Sequence, residues 1–437
     1  MTSYARGLGL FSGTMAVVGG IIGGGIFRTP ATVAERLGTP GQILLAWVIG
    51  GGVALIGAFC FGELGQRRPR AGGGSVYLRE TWGPLPAFLY GWTLVLVIAT
   101  GAIAAVAVTF ANYALALAGL PERFTVPVAI GAIVLLAGIN YVGVTPAAVT
   151  QNVFTILKLA ALATLIGAAM SLAAPTAQVR AVHAPSVSGL GAALVPVLFT
   201  YGGWQQTNFI AEEIVEPERN LPRALVLGVA IVVTVYLLTN IAYLRVLGVD
   251  GLQASTAPAA DTMQALLGDA GGKIIAAGIA VSTFGFLNLV VLVTPRVLQA
   301  MAADGVFFAR LAALHPVHRT PAAAIVALAA CAIVLTLTGT FGQLVDYVTF
   351  GDWIFFGLTV AGLFVYRRRF GPATFSVPGY PVTPAIFVLA AAFVVYSAIR
   401  SNPVNAAIGA GLILLGVPVY LYWTRLKGAG SRERGAG

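Results

Sequence analysis

Two short glycine-rich stretches in otherwise apolar sequence contain the residues best suited to binding a small polar molecule. The first, GGIIGGGIF, spans residues 19–27, and the second, FTYGGW, spans residues 199–204. Each glycine costs roughly 1 kcal/mol relative to alanine inside a helix, so we expect both helices to break at their glycines. A break within a membrane leaves backbone N–H and C=O groups unpaired unless protein, water or a ligand satisfies them. Both stretches are therefore candidate binding segments.

The partial charges at a helix break predict the chemistry of the bound molecule. The helix end before the gap presents carbonyls with partial negative charge, and the helix after the gap presents N–H groups with partial positive charge. A carboxylate favours the N–H groups and an ammonium favours the carbonyls, so an amino acid fits without any charged side chain. For one break alone, close packing of a neighbouring helix is the competing explanation. Two matched breaks favour a transporter site.

The elements that must position these stretches are membrane-spanning helices. Of the 437 residues, 58% are hydrophobic and 9% are charged, and the mean hydropathy is +0.90. Most stretches without charged residues reach the ~20 residues that cross a bilayer as a helix. We predict an all-α membrane protein with twelve transmembrane helices, in which helix 1 (about 9–36) and helix 6 (189–214) are broken.

The order of the helices suggests an internal repeat. Helices 1–5 and 6–10 each begin with a broken helix, which is the pattern of an inverted repeat of five helices. We therefore divide the chain into a first repeat, a second repeat, and helices 11 and 12 with a tail, at residues 1–172, 173–366 and 367–437. With twelve spans, most Lys and Arg residues fall in inner loops, which predicts a multi-pass protein of the cytoplasmic membrane with both termini in the cytoplasm.

Composition and motif content exclude several classes of function. The net charge of +10 follows the membrane topology, so we expect the lipid bilayer and no nucleic acid as a partner. Cys60 and Cys331 lie within predicted spans, which argues against a disulfide-linked partner subunit. His183, His315 and His318 lie in loops without a ligand cluster, so we expect no metal and no cofactor. No nucleophile–base pair is apparent in the spans, and we predict that the chain is not an enzyme.

Four motifs together resemble a known family. They are GGGIF, FGELGQRRPRAGG, FTYGGWQQTNFIAEEIVEPERNLPRAL and MAADGVFF. With them the chain resembles the amino-acid permeases of the amino acid–polyamine–organocation superfamily, especially the L-type amino-acid transporters, over nearly its whole length. The resemblance implies a LeuT-type 5+5 fold and sodium-independent amino-acid exchange by alternating access. A proton-coupled symporter of amino acids, or of polyamines and other cationic substrates, is the alternative.

The resemblance also implies roles for individual residues. The substrate carboxylate would bind backbone N–H groups of Gly23, Gly24 and Gly25, and the ammonium would bind carbonyls near Ile21, Phe199 and Thr200. Ile26 is a further predicted substrate-binding residue. Phe199 would close the outer side over the substrate, with further binding residues at Gly202, Gly203, Trp204 and Gln205. The side-chain pocket would include Phe350 and Trp353, with ordinary helix packing as the competing role. The family usually has serine where this chain has Gly24.

Lys158 and Asp352 are the charged residues of greatest interest within the predicted spans. An ammonium at mid-helix costs about 3 kcal/mol or more in a bilayer, which makes an intramembrane lysine a functional candidate. In the resemblance Lys158 occupies the sodium position of sodium-coupled relatives, between helix 1 and the hydroxyls of Ser282 and Thr283. Burial favours the neutral amine, so the lysine could release a proton during transport and act as a proton switch. The alternative is that it stays charged and serves as a permanent structural tether. Asp352 could mark a cationic substrate or a proton site.

Acidic residues at the inner helix ends have a simpler interpretation. Glu63 lies close in sequence to Arg67 and Arg68, and the pair Glu212 and Glu213 precedes Arg219. Gate salt bridges or solvated helix caps account for these positions better than contact with a substrate.

Overall fold

The computed structural model describes residues 3–173, 187–339 and 341–424, and gives the backbone alone for residues 96–97, 187–188 and 341–350. This part of the chain is built from α-helices, short 3₁₀ helices and a π-helical segment, Leu94–Ala99. The α-helices are α1 Leu10–Ile21, α2 Gly25–Arg36, α3 Pro40–Arg67, α4 Gly74–Trp82, α5 Pro84–Thr93, α6 Thr100–Ala118, α7 Thr125–Val142, α8 Val144–Leu172, α9 Val187–Thr200, α10 Pro217–Ala254, α11 Pro258–Ala303, α12 Ala322–Thr338, α13 Phe341–Phe370, α14 Val382–Ser401 and α15 Pro403–Leu414. The 3₁₀ helices are Glu122–Phe124, Trp204–Glu213 and Ala309–Ala312.

Within the described residues, 8 helices are long and apolar enough to cross a bilayer, and counting the bent pair α1 and α2 as one span gives 9. This count is lower than the twelve predicted spans because several expected spans are interrupted or short. For example, α12 has 17 residues, and α9 is followed by the 3₁₀ helix Trp204–Glu213. The described part of the chain is all-helical with 8 or 9 apolar helices of spanning length, which agrees with the predicted membrane class, and the twelve-span topology stays a prediction.

Two long helices contain internal kinks at glycines with left-handed backbone conformation. In α10 the kink is at Gly248, with φ 68°, and in α11 it is at Gly268, with φ 61°. Left-handed φ values are accessible to glycine without a steric penalty. The kink at Gly268 separates a short helical segment that begins at Pro258 from the rest of α11.

The broken helices form the centre of the molecule. Helix α1 packs against α8, α10, α11 and the 3₁₀ helix Trp204–Glu213, whereas α2 packs against α9 and α10. Small residues allow this close packing, since a Cβ on Gly228 of α10 would lie 2.5 Å from Val17 Cγ1. Close approach through glycine is the usual way in which membrane helices associate. The helices that carry the glycine-rich stretches are therefore held tightly by their neighbours.

Candidate functional site

The first glycine-rich stretch interrupts a helix. Helix α1 ends at Ile21 and α2 begins at Gly25, with a bend of 44° between them. At this break the Gly23 N–H donates to Ile21 O at 2.9 Å, and the Phe27 N–H donates to Gly24 O at 3.2 Å. Within the described chain, the N–H groups of Gly24, Gly25 and Ile26 donate to no protein acceptor. The start of α2 therefore offers free donors and the positive end of its helix dipole.

The second stretch interrupts the chain in the same manner. Helix α9 ends at Thr200, and a turn leads to the 3₁₀ helix that begins at Trp204. Gly203 has φ +109°, a conformation that other L residues rarely adopt, and its N–H donates to Gln205 Oε1 at 3.0 Å. A Cβ on Gly203 would lie only 2.1 Å from Gly20 O. The backbones of the two interrupted helices are therefore in direct contact at these two glycines.

A cavity of about 290 Å³ lies between the two breaks. This is about the lower limit for pockets that hold small ligands, so it suits a single small molecule. The predicted site residues that line it are Ile21, Gly23, Gly24, Gly25, Phe199, Thr200, Gly202, Gly203, Gln205, Thr283 and Trp353. Because these residues come from five α-helices, the 3₁₀ helix Trp204–Glu213 and the turns between them, the cavity exists only in the folded molecule.

Other predicted site residues lie elsewhere. Ile26 is fully buried in the hydrophobic core. Trp204 packs behind the cavity wall in an aromatic cluster, with ring centroids 5.0 Å from Phe61 and 6.2 Å from Phe387. The side chain of Phe350 lies outside the described residues. Trp204 thus supports the wall on which its neighbour Gln205 lies.

Lys158 contacts the carbonyl end of α1 rather than the cavity. Its Nζ donates to Gly19 O at 3.2 Å and to Ile22 O at 2.8 Å, and the side chain is fully buried. Ser282 Oγ donates to the same Ile22 O at 3.3 Å. Among the described residues no carboxylate forms an ion pair with Lys158. The ammonium is therefore stabilised by carbonyl oxygens, which also bind hard metal cations.

Thr283 points differently from Ser282. Its hydroxyl donates to carbonyls of its own helix, Ile279 O at 2.8 Å and Ala280 O at 2.9 Å. Thr283 lines the cavity, whereas the hydroxyl of its neighbour contacts the broken helix. Adjacent helical residues project in different directions, which explains the difference.

Three backbone carbonyls beside the cavity differ in how many hydrogen bonds they already accept, and therefore in how freely they could bind an ammonium. Ile21 O already accepts from the Gly23 N–H and from Tyr236 Oη, at 2.9 and 3.1 Å. Gly20 O would accept from Gly24 in a continuous helix, and in the described chain it accepts no hydrogen bond. Phe199 O accepts one, from Gly202 at 3.0 Å. Gly20 and Phe199 therefore have more free capacity than Ile21.

Much of the cavity wall was not predicted. The π-helical segment and α6 supply small and aliphatic side chains, among them Leu94, Ile98, Ala99, Ala102, Ala105 and Val106. Further lining residues are Gln206, Phe209, Phe286, Val290, Thr294 and Phe356. Asp352 also lines the cavity, at a position that the sequence had indicated as a candidate for a cationic substrate or a proton site. The alanine-rich sequence around residues 99–107 could have indicated that α6 borders the cavity. A π-helical segment frequently marks a functional site, but sequence periodicity does not reveal it.

Ion pairs close the end of the molecule that carries the 3₁₀ helix Trp204–Glu213. The carboxylate of Glu213 pairs with Arg296, with Oε1–Nη2 at 2.9 Å, and both side chains are almost completely buried. Glu63 pairs with Arg67 at 2.8 Å and with Arg367. The predicted partners Arg68 and Arg219 bond instead to Glu80 and Glu216. Salt bridges are present as expected, with partners that come largely from distant helices.

The N-terminal segment is attached to the same end. Backbone N–H groups of Gly7 and Leu8 both donate to Glu213 O at 3.0 Å, and the Val215 N–H donates to Leu8 O at 2.8 Å. Tyr4 Oη donates to Gln299 Oε1 at 3.2 Å, and burial raises the pKa of this phenol, which keeps the donor protonated. These bonds connect the N-terminal segment to Glu213 and to α11, the helix that carries Arg296.

An apolar helical chain with a small cavity between two interrupted helices is the arrangement of a membrane permease for a small polar solute. The chain belongs to the amino acid permease family, since the family model described as Amino acid permease matches residues 8–423. Because this family and the relatives below are membrane transporters, the prediction that the chain is not an enzyme is confirmed.

Several characterised relatives are similar over nearly the whole chain. The human "Large neutral amino acids transporter small subunit 2" is 33% identical over 95% of this chain and 80% of its own length. The mouse "Asc-type amino acid transporter 1" is 31% identical over 95% of this chain and 81% of its own length. The human "b(0,+)-type amino acid transporter 1" is 32% identical over 92% of this chain and 84% of its own length. These names agree with the family resemblance drawn from the motifs.

Proposed function

We propose that this protein moves amino acids across the cytoplasmic membrane by alternating access, without sodium, and in exchange for other amino acids. The observation that carries the proposal is that one cavity is lined both by residues with free N–H groups, Gly24 and Gly25, and by a residue with a free carbonyl, Gly20. The N–H groups suit a carboxylate, and the carbonyl suits an ammonium. The relatives named above transport amino acids according to their names, which supports the same class of substrate.

The proposed architecture is the LeuT-type fold with twelve spans. The repeats at residues 1–172 and 173–366 would each begin with one of the two interrupted helices, followed by residues 367–437. Alternating access would then consist of one repeat moving against the other around the cavity. The excess of basic residues in the proposed inner loops supports cytoplasmic termini. Protease removal of a C-terminal tag only from inside-out vesicles would support this orientation, and removal only from right-side-out vesicles would contradict it.

Lys158 is proposed to take the place of the sodium ion that sodium-coupled transporters bind at this position. Its Nζ contacts Gly19 O and Ile22 O, and Ser282 shares Ile22 O, so a fixed ammonium stabilises the carbonyl end of α1. A protein with its own cation at this position does not need sodium to stabilise the break. The ammonium acts either as a permanent tether or as a proton switch, and an imposed pH gradient distinguishes these roles.

The purified chain in liposomes provides the test of the proposed function. We expect saturable uptake of labelled amino acids from a panel of twenty, strong stimulation by amino acid inside the vesicle, and no change when sodium is removed. Uptake into empty vesicles driven by a proton gradient would instead favour the symporter. Non-saturable flux would indicate a channel, and saturable binding without flux would indicate a receptor.

The same assay tests the expectation that no disulfide-linked subunit is needed. Cys60 is buried, and Cys331 is exposed on the apolar helix α12. We expect the chain alone to transport equally well with and without a reducing agent. A requirement for a second subunit would contradict this expectation.

Gly24→Ser provides a test of the carboxylate site. A Cβ at Gly24 would meet nothing within 4 Å, so serine fits, and its hydroxyl can donate a further hydrogen bond to the carboxylate. We expect KM for small amino acids to fall about tenfold or more, since a hydrogen bond to a charged group stabilises by about 1.5–3 kcal/mol. Steady-state exchange kinetics in proteoliposomes measure this change.

Gly25→Ser is the matched control for that substitution. There a Cβ would lie 2.8 Å from Thr200 Cγ2, so either the Thr200 side chain or the two interrupted helices must shift. We expect transport to decrease at least about tenfold, as expected for overpacking that costs 1–3 kcal/mol. Equal effects of the two serines would contradict the assignment of Gly24 to an open position.

A further inference from the structure

A single charge distinguishes the cavity wall opposite the helix breaks. Of the described residues that line the cavity, Asp352 is the one with a charged side chain. Among these residues its carboxylate has neither a hydrogen-bond donor nor an ion-pair partner. A carboxylate removed from bulk water is unfavourable unless a cation or donors compensate it. The substrate itself is a source of that compensation.

Asp352 belongs to a different wall from the backbone groups that suit the zwitterion. It lies on α13, whose main neighbours are α14, α15, α4, α6 and the π-helical segment. The free N–H groups and the free carbonyl lie on α1 and α2, which pack mainly against α8, α9, α10 and α11. A substrate held by its α-carboxylate and α-ammonium at the breaks would therefore extend its side chain towards α13.

Gln206 provides an independent observation at the same cavity. Its Oε1 is buried and has no hydrogen-bond partner in the described part of the molecule. Because Gln206 also lines the cavity, an unpaired amide joins the unpaired carboxylate there. Buried polar atoms are almost always paired in folded proteins, so each unpaired one requires an explanation. A ligand rich in N–H donors would supply the donors that these oxygen atoms lack.

The remaining lining suits the stem of such a side chain. Phe209, Trp353 and Phe356 line the cavity, as do aliphatic residues such as Val290. Methylene groups pack favourably on such surfaces, while an ammonium or guanidinium is attracted to aromatic faces. An apolar cavity wall that carries one carboxylate is complementary to a long side chain with a terminal positive charge.

We propose that the cavity selects amino acids with a cationic side chain, such as lysine and arginine, and that Asp352 is the counter-charge that determines this specificity. The inference rests on the proposed amino-acid transport and narrows its substrate class. In this proposal the negative charge of Asp352 recognises the substrate and does not couple transport to protons.

The test compares cationic amino acids with neutral molecules of nearly the same shape. Binding of arginine and citrulline, and of lysine and norleucine, is measured on the purified protein, and exchange of all four is measured in proteoliposomes. We expect the wild type to favour each cation, and Asp352→Asn to reduce the arginine-to-citrulline affinity ratio about thirtyfold or more, as loss of a desolvated charge partner does. Asp352→Glu retains the charge and should preserve a ratio above one.

Asp250→Asn is the matched control, because it removes one negative charge at an exposed position of α10. It should leave the ratio unchanged. A wild type without preference for the cation, or an Asp352→Asn variant that weakens both ligands equally, would overturn the inference. Loss of the response to a proton gradient with an unchanged ratio would also overturn it. Exchange of neutral amino acids without a cation preference refutes this inference alone, whereas failure to bind or exchange any amino acid refutes the proposed function as well.

Discussion

Gly203→Ala is expected to reduce amino-acid exchange to background. Two effects act together at this position. The backbone φ of +109° is strained for any residue with a Cβ, at about 1–3 kcal/mol. The added Cβ would also lie 2.1 Å from Gly20 O and 2.7 Å from Gly20 C, where no flexible side chain can move aside. The two interrupted helices must therefore separate, which displaces the groups that line the cavity.

Exchange by proteoliposomes and thermal unfolding of the purified protein measure the two consequences. Gly52→Ala is the matched control, because a Cβ there meets nothing within 4 Å and the residue lies in the regular helix α3. That variant should retain transport and gain up to about 1 kcal/mol of stability from helix propensity. Normal exchange by Gly203→Ala would show that the contact between the two breaks is not required for transport.

Lys158→Ala is expected to reduce transport at least a hundredfold. Removing the ammonium leaves Gly19 O and Ile22 O without a donor from α8, and Ser282 alone continues to contact Ile22 O. A hydrogen bond from a charged group contributes about 1.5–3 kcal/mol, so the loss of both Lys158 bonds corresponds to a factor of about a hundred or more. The loss is expected whether the lysine is a tether or a proton switch.

Further variants separate these two roles. Lys158→Arg keeps a positive charge that does not titrate, since arginine stays protonated in proteins. If the lysine is a tether, residual exchange by this variant should respond to a pH gradient as the wild type does; if it is a proton switch, that response should disappear. Lys273→Ala, at an exposed position of α11, is the control for loss of one lysine. Normal exchange by Lys158→Ala would remove Lys158 from the mechanism.

The sequence alone determined the features that depend on local chemistry. Hydropathy identified an all-helical membrane protein, since a long uncharged stretch is stable only when apolar surroundings bury it. Glycine at residues 23–25 and 202–203 located both helix breaks, because a residue without a Cβ weakens a helix wherever it occurs. Lys158 was identified as unusual for a similar reason, since an uncompensated charge within a span is unfavourable before any partner is known.

Only the tertiary structure decided which groups meet. Gly20 and Gly203 are 183 positions apart, and their contact depends on the packing of two separate helices. The pairing of Glu213 with Arg296, the satisfaction of Ile21 O by Tyr236, and the exposure of Asp352 to the cavity arise in the same way. Helix propensity and hydropathy are properties of neighbouring residues, whereas a side chain's partner is set by distant segments brought together in the fold. For this reason the breaks were predictable, and the wall that completes the cavity was not.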